Sequence, residues 1–220
     1  MEPHHRRLAE IALAVAGDQG FALAGGYAMR AHGMGDRPSG DVDLFTDWHR
    51  RADFPGAVAA VTAALYANGY SVEVTTSGDT FARLLVTFLA EPERAPDKLE
   101  LSADWRAHPP VVLDVGPVLH PDDAVANKMI ALYGRALPRD FLDVDAAITT
   151  GRYTRDELIE LASNADRGFE LMMFADALSA LRQITDDAFA DYRVTQDHVT
   201  AMRVRFRDWR DMLIATSRSE

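Results

Sequence analysis

Phe21-Ala22-Leu23-Ala24-Gly25-Gly26 and, further on, Arg37-Pro38-Ser39-Gly40-Asp41-Val42-Asp43-Leu44-Phe45 decide the reading of this chain. Asp41 and Asp43 alternate with Val42 and run into Leu44-Phe45, the pattern of a β-strand, in which residues two apart project from one face. Two carboxylates then point at one spot. They repel each other unless a cation or a proton lies between them, and Mg²⁺ favours carboxylate oxygens together with the oxygens of a phosphate-bearing substrate. A Gly25-Gly26 step that opens a helix offers backbone N–H groups to phosphate, and Arg37 and Ser39 add charged and hydroxyl donors. The whole stretch therefore reads as one metal–nucleotide site.

Outward from it, apolar spacing at Leu8, Ile11, Ala12 and Val15 predicts a helix over 5–16, broken by Gly17 and Gly20. Phe21 to Ala24 reads as a buried strand, 27–31 as a short helix and 32–40 as a Gly-rich loop. A helix opens at Phe54-Pro55 and ends near Gly69, and strand-like runs follow at 71–75, 81–89, 99–101 and 111–115. After Pro121 the texture becomes almost purely helical, over about 122–135, 139–149, 154–162, 169–184 and 196–215. The expected fold is α/β (α+β), with a mixed sheet flanked by helices over residues 1–120 and an all-helical bundle over 121–220.

Composition narrows the function classes. The chain has 220 residues, 48% of them hydrophobic, enough for a substantial core. No apolar run approaches the length of a membrane span and no secretory leader is evident, so a cytoplasmic protein with no membrane partner is expected. With no cysteine there are no disulfides or thiolate zinc sites. The net charge of −11 argues against non-specific coating of nucleic acid, so any such contact needs a local basic patch.

A two-metal clamp on phosphoryl transfer calls for a third carboxylate. Glu100, in Lys98-Leu99-Glu100-Leu101, and Asp114, in Val111-Val112-Leu113-Asp114-Val115, are the two candidates. Lys128 and Arg135 share a helix face, from which Lys128 could reach nucleotide phosphates, with Arg135 and Arg139 adding contacts. Asp143 and Asp145 repeat the Asp-x-Asp pattern within helical spacing and so diverge. His4-His5 has neither a metal-ligand spacing nor a partner carboxylate and is expected at the solvent. Arg203, Arg207 and Arg210 fall on one helical face, which reads first as solvated charge paired with Asp208 and Asp211.

Taken in order, Gly25-Gly26, Arg37-x-Ser39-x-Asp41-x-Asp43, Lys98-Leu99-Glu100, Asn127-Lys128-Met129-Ile130-Ala131-Leu132-x-x-Arg135 and Arg139-Asp140-Phe141-x-Asp143 resemble the AbiEii/AbiGii-type nucleotidyltransferases. These are toxins of bacterial toxin–antitoxin and abortive-infection systems within the DNA polymerase β-like nucleotidyltransferase superfamily. The resemblance implies a nucleotidyltransferase core, Mg²⁺-dependent transfer from an NTP and a helical C-terminal domain. Gly25 and Gly26 would approach the triphosphate and Ser39 would help hold it. Asp41 and Asp43 would bind Mg²⁺, with Glu100 as third acid and Lys128 on phosphate, while the Arg139–Asp140 pair would orient the helical layer. Gly26 replaces a Ser common in the superfamily, and Glu100 an Asp. In related toxins the acceptor is the 3′ end of tRNA, and a cognate antitoxin is the expected protein partner. Two other readings stand beside this one: a small-molecule nucleotidyltransferase acting on an aminoglycoside or lincosamide, which suits the acidic balance, and a non-catalytic nucleotide-binding or antitoxin-like module, against which the retained Asp41 and Asp43 argue.

Overall fold

The computed structural model describes residues 1–217. They form two compact units, one made of Met1–Ala31 and Ser39–Pro121, the other of His32–Pro38 and the chain from Asp122 onward. Among the described residues no helix is long and apolar enough to cross a membrane.

The first unit holds a seven-stranded mixed sheet in the order β3-β4-β5-β2-β1-β7-β6. Its strands are β1 (Ala22–Leu23), β2 (Asp41–Asp47), β3 (Tyr70–Ser77), β4 (Phe81–Phe88), β5 (Asp97–Asp104), β6 (Val111–Leu113) and β7 (Gly116–Val118). In β2 the alternation is literal: Val42, Leu44 and Thr46 are buried, whereas Asp41, Asp43 and Phe45 lie on the opposite, half-open face. β5 alternates in the same way and pairs parallel to β2, Asp43 opposite Glu100 and Asp41 opposite Lys98. Helices α1 (Pro3–Ala16) and α3 (Phe54–Ala67) pack on each other, α1 also touching β1, β2 and β7 and α3 touching β3. α1 buries Leu8, Ala9, Ala12, Leu13 and Ala16, a stripe that shares Leu8 and Ala12 with the predicted one but leaves Ile11 half-buried and Val15 exposed. A seven-residue helix, α2 (Gly25–Ala31), follows β1.

The second unit contains α4 (Pro121–Arg135), α5 (Pro138–Thr149), α6 (Arg155–Ala165), α7 (Leu171–Ser179) and α8 (Gln196–Ser217). Its core is aromatic. Phe141 meets Phe206 edge-on at 5.3 Å between ring centres, and Phe174 meets Trp209 edge-on at 5.2 Å. Asp145 on α5, fully buried, accepts two hydrogen bonds of 2.7 Å from Arg205 on α8. Those bonds raise the Arg205 pKa above its ordinary value, so the guanidinium stays charged. α6 starts with a capping box, the Thr154 hydroxyl accepting from the Glu157 N–H and the Glu157 carboxylate accepting from the Thr154 N–H.

The mixed sheet and the run of helices agree with the α/β reading; two local expectations do not hold. The helix predicted over 169–184 ends at Ser179 and gives way to a 3-10 turn at Ala180–Arg182. Arg203 explains the break, because its guanidinium donates to the Leu181 carbonyl and, at 2.6 Å, to the Ile184 carbonyl, drawing both out of a helical ladder. The strand predicted over 111–115 stops at Leu113, because Asp114-Val115 is the turn of a β6–β7 hairpin and Gly116 takes φ +113° beyond it.

Candidate active site

Asp41, Asp43 and Glu100 come together on the half-open face of β2 and β5, each offering a carboxylate oxygen, all within 4.8 Å of one another. Parallel pairing does this: Asp43 and Glu100 are cross-strand neighbours, and Asp41 is one repeat along. Asp114 sits in the β6–β7 turn at the far edge of the sheet, so the acid placed beside the pair is Glu100.

Three carboxylates this close need positive charge. Lys98 lies 2.9 Å from Asp41 Oδ2 and 3.5 Å from Glu100 Oε1, and Arg83 donates to Glu100 Oε1 at 2.8 Å. Burial would lower the Lys98 pKa, but the Asp41 hydrogen bond and the charges of Asp41, Glu100 and Asp43 outweigh it and raise the value, keeping the ammonium charged. An all-oxygen donor set suits a hard cation such as Mg²⁺, and a divalent ion there would displace Lys98 as counter-charge. The residues present fit that ion.

Gly25 is fixed by this site. Its φ is +60°, and a Cβ built on it would lie 1.8 Å from Asp43 Oδ2 and 2.7 Å from Asp43 Cγ. The glycine thus brings the start of α2 against the carboxylate, which no larger residue allows. Gly25→Ala is expected to cost about 1–3 kcal/mol from backbone strain and forced displacement of Asp43. Chemical denaturation of the variant checks this; a loss below about 0.5 kcal/mol would show that Asp43 does not need the contact. Gly26 follows as the second residue of α2.

Ser39 is buried, and its hydroxyl donates to Asp41 Oδ1 at 3.2 Å. It orients that carboxylate.

In the second unit the expected phosphate cations are held by an acid. Arg37 grips Asp143 through two hydrogen bonds, Nε to Oδ1 at 2.6 Å and Nη2 to Oδ2 at 2.7 Å, and its Nη1 donates to the Pro38 carbonyl at 3.0 Å. Lys128 Nζ is 2.9 Å from Asp143 Oδ2. Burial opposes ionisation of Asp143, but Lys128 and Arg37 together outweigh it and hold its carboxyl below the ordinary value. The guanidinium of Arg37 is committed to this clamp; an ammonium has three donors, of which this bond takes one. Asp143 is the residue that sequence reasoning passed over. Its signal was an acid set among Phe141, Leu142 and Val144 on a helix with an apolar face, where a carboxylate is buried only if paired.

Asp140 is not paired with Arg139. Fully buried, it takes two hydrogen bonds from Arg135, at 2.9 and 2.8 Å, and one from the Leu137 N–H at 3.1 Å. Arg135 therefore closes the α4–α5 corner, while Arg139 is half-buried with its Nε lacking a hydrogen-bond partner among the described residues. The late basic face keeps its expected pairing, Arg207 with Asp208 at the solvent and Arg210 with Asp211, while Arg203 departs from it by bracing the turn after α7. His4-His5 overturns its expectation, since His5 is buried and Asp97 lies 3.2 Å from His5 Nε2 and 3.6 Å from His4 Nε2.

Residues 6–215 match the family model of the nucleotidyl transferase AbiEii toxin of type IV toxin–antitoxin systems. The chain belongs to this family. It is a nucleotidyltransferase, which removes the non-catalytic reading. Among solved structures it is similar in fold to JHP933 from Helicobacter pylori (18% identity, TM-score 0.60, covering 98% of this chain and 94% of that one). A second likeness is to MenT4, a nucleotidyltransferase toxin from Mycobacterium tuberculosis H37Rv (18% identity, TM-score 0.60, covering 93% of this chain and 82% of that one). No curated protein sequence matches this AbiEii nucleotidyltransferase.

Proposed function

We propose that this AbiEii nucleotidyltransferase transfers a nucleotide from an NTP to the 3′ end of a tRNA, using Mg²⁺ held by Asp41, Asp43 and Glu100. The observation that carries this reading is the in-register placement of Glu100 beside Asp43, with Gly25 pressed against the same carboxylate. A bound Mg²⁺ supplies Lewis-acid neutralisation of the phosphate oxygens. Asp41 and Asp43 would hold that ion, Ser39 fixes the Asp41 carboxylate, and Glu100 accepts the proton of the attacking hydroxyl. The acceptor oxygen forms a bond to the α-phosphorus, and the α–β bridging bond breaks to release pyrophosphate. Lys128 keeps donors that Asp143 does not use, and these suit phosphate oxygens. A cognate antitoxin partner and a cytoplasmic site of action, where NTP and tRNA meet, belong to the same reading.

The −11 charge makes the RNA acceptor the demanding part of the proposal. Binding must be local, through few phosphates, and should weaken with salt at a log–log slope of roughly −0.9 per duplex phosphate contacted. The same acidity, with Arg207 and Arg210 already paired, favours a second reading in which the acceptor is a cationic aminoglycoside. Incubation with labelled NTPs, Mg²⁺ and either total tRNA or an aminoglycoside panel separates the two. Label on tRNA, reduced by Arg207→Glu and Arg210→Glu, is expected; label on the antibiotic alone would replace tRNA as acceptor.

A further inference from the structure

His4, His5 and Asp97 meet where the first turn of α1 touches the start of β5, and Asp97 faces away from the side of β5 that carries Glu100. Their hydrogen bonding is unusually constrained. The Tyr27 hydroxyl donates its proton to the Ser39 carbonyl at 3.2 Å, so its oxygen accepts from His5 Nδ1–H at 2.5 Å. In a neutral ring that tautomer turns the His5 Nε2 lone pair toward Asp97 Oδ1 at 3.2 Å, where a protonated ring would donate, and His4 Nε2 stands 3.6 Å from the same oxygen. The other oxygen, Oδ2, is taken by Arg94. Ligand atoms of all three residues lie within 4.8 Å of one another. Lone pairs so placed repel unless a proton or a cation lies among them.

The spacings fit a metal. Zn–N bonds of about 2.0–2.1 Å in a tetrahedron put neighbouring ligand atoms roughly 3.3–3.4 Å apart, between the two observed separations. Two imidazoles and one carboxylate are borderline donors that prefer Zn²⁺ to Mg²⁺, whereas the all-oxygen set at Asp41 does the reverse. Tyr27 supplies the outer hydrogen bond that fixes a metal-binding histidine in one tautomer.

We propose that His4, His5 and Asp97 form a Zn²⁺-class site, separate from the nucleotidyltransfer centre, that ties α1 to β5. The site leaves a fourth coordination position for water. Through His5, Tyr27 and the Ser39 carbonyl it braces the turn that delivers Asp41. This inference is independent of the acceptor and holds for any nucleotide chemistry at Asp41 and Asp43.

The test is titration of the chelator-treated full chain with Co²⁺ and then Zn²⁺, read by visible absorption and calorimetry. The expected result is one equivalent of Co²⁺ giving the intense absorption of a four-coordinate, nitrogen-bearing site, displaced by Zn²⁺ at micromolar affinity or better. His4→Ala should abolish the band and weaken Zn²⁺ at least tenfold; His4 is partly exposed, so the fold tolerates the change. Arg94→Ala, which keeps all three donors, should retain the band, as should an Asp41→Asn/Asp43→Asn double variant. A weak six-coordinate spectrum, unchanged affinity in His4→Ala, or loss of the band only in the double variant would overturn the site. So would the lack of any zinc heat, which would show that a proton alone joins His5 to Asp97.

Discussion

Asp41→Ala or Asp43→Ala is expected to lower nucleotide transfer on the order of 10³-fold while the protein stays folded, because removing a metal-binding carboxylate forfeits several kcal/mol of transition-state charge stabilisation. The fold should survive for a reason visible in β2. The strand is anchored by Val42, Leu44 and Thr46 on its buried face, and the two acids stand on the other. Removing one also relieves repulsion among three carboxylates gathered beside Lys98 and Arg83. Stability should therefore be unchanged or slightly raised. Turnover of labelled NTP in Mg²⁺, set beside thermal unfolding of the same preparations, reads both halves of the prediction. A folded Asp41→Ala/Asp43→Ala variant with unchanged turnover would remove the carboxylates from the chemistry.

The parts of the site written in local sequence were legible, and those made by distant pairing were not. The same-face geometry of Asp41 and Asp43 needs only the two-residue period of a strand, so it could be read from Asp41-Val42-Asp43-Leu44 alone. Choosing Glu100 over Asp114 required the resemblance to known enzymes, because strand order in a mixed sheet is not a local property. β5 and β6 look alike in sequence, yet β5 adjoins β2 and β6 lies at the edge. Charge pairing was the hardest to see. Lys128 and Arg37 read as waiting for phosphate, yet both are also held by Asp143, and Arg135 binds Asp140 where Arg139 had been expected. His4-His5 read as solvent-exposed because Asp97, its partner, is far away in sequence. A cation expected to bind substrate and one that neutralises a buried acid share the same sequence signature; only the three-dimensional partner separates them.

That distinction carries a measurable consequence at Asp143. Asp143→Asn is expected to destabilise the protein by about 3–5 kcal/mol, the penalty for leaving opposite charges buried without their counter-ion. Arg37 and Lys128 would both lose an anion, and neither is placed to recover full hydration, since both side chains are about nine-tenths buried. The acid limb of stability supplies an independent check. The folded-state pKa of Asp143 lies below its ordinary value: burial would raise it, but Lys128 and Arg37 prevail. In the unfolded chain the carboxyl titrates near its reference value of about 3.9. Stability from this triad is thus fully present above that pH and is lost as pH falls through the lower, folded value, where the native state must take up a proton it resists. Urea unfolding at neutral pH, repeated down to about pH 3, should show the wild-type chain losing stability in that window and Asp143→Asn losing less, having no carboxylate there to protonate. A variant within about 1 kcal/mol of wild type at neutral pH, with the same acid limb, would mean that water screens Arg37 and Lys128 well enough to dispense with Asp143. Their role as cations poised for phosphate would then stand without an internal counter-ion.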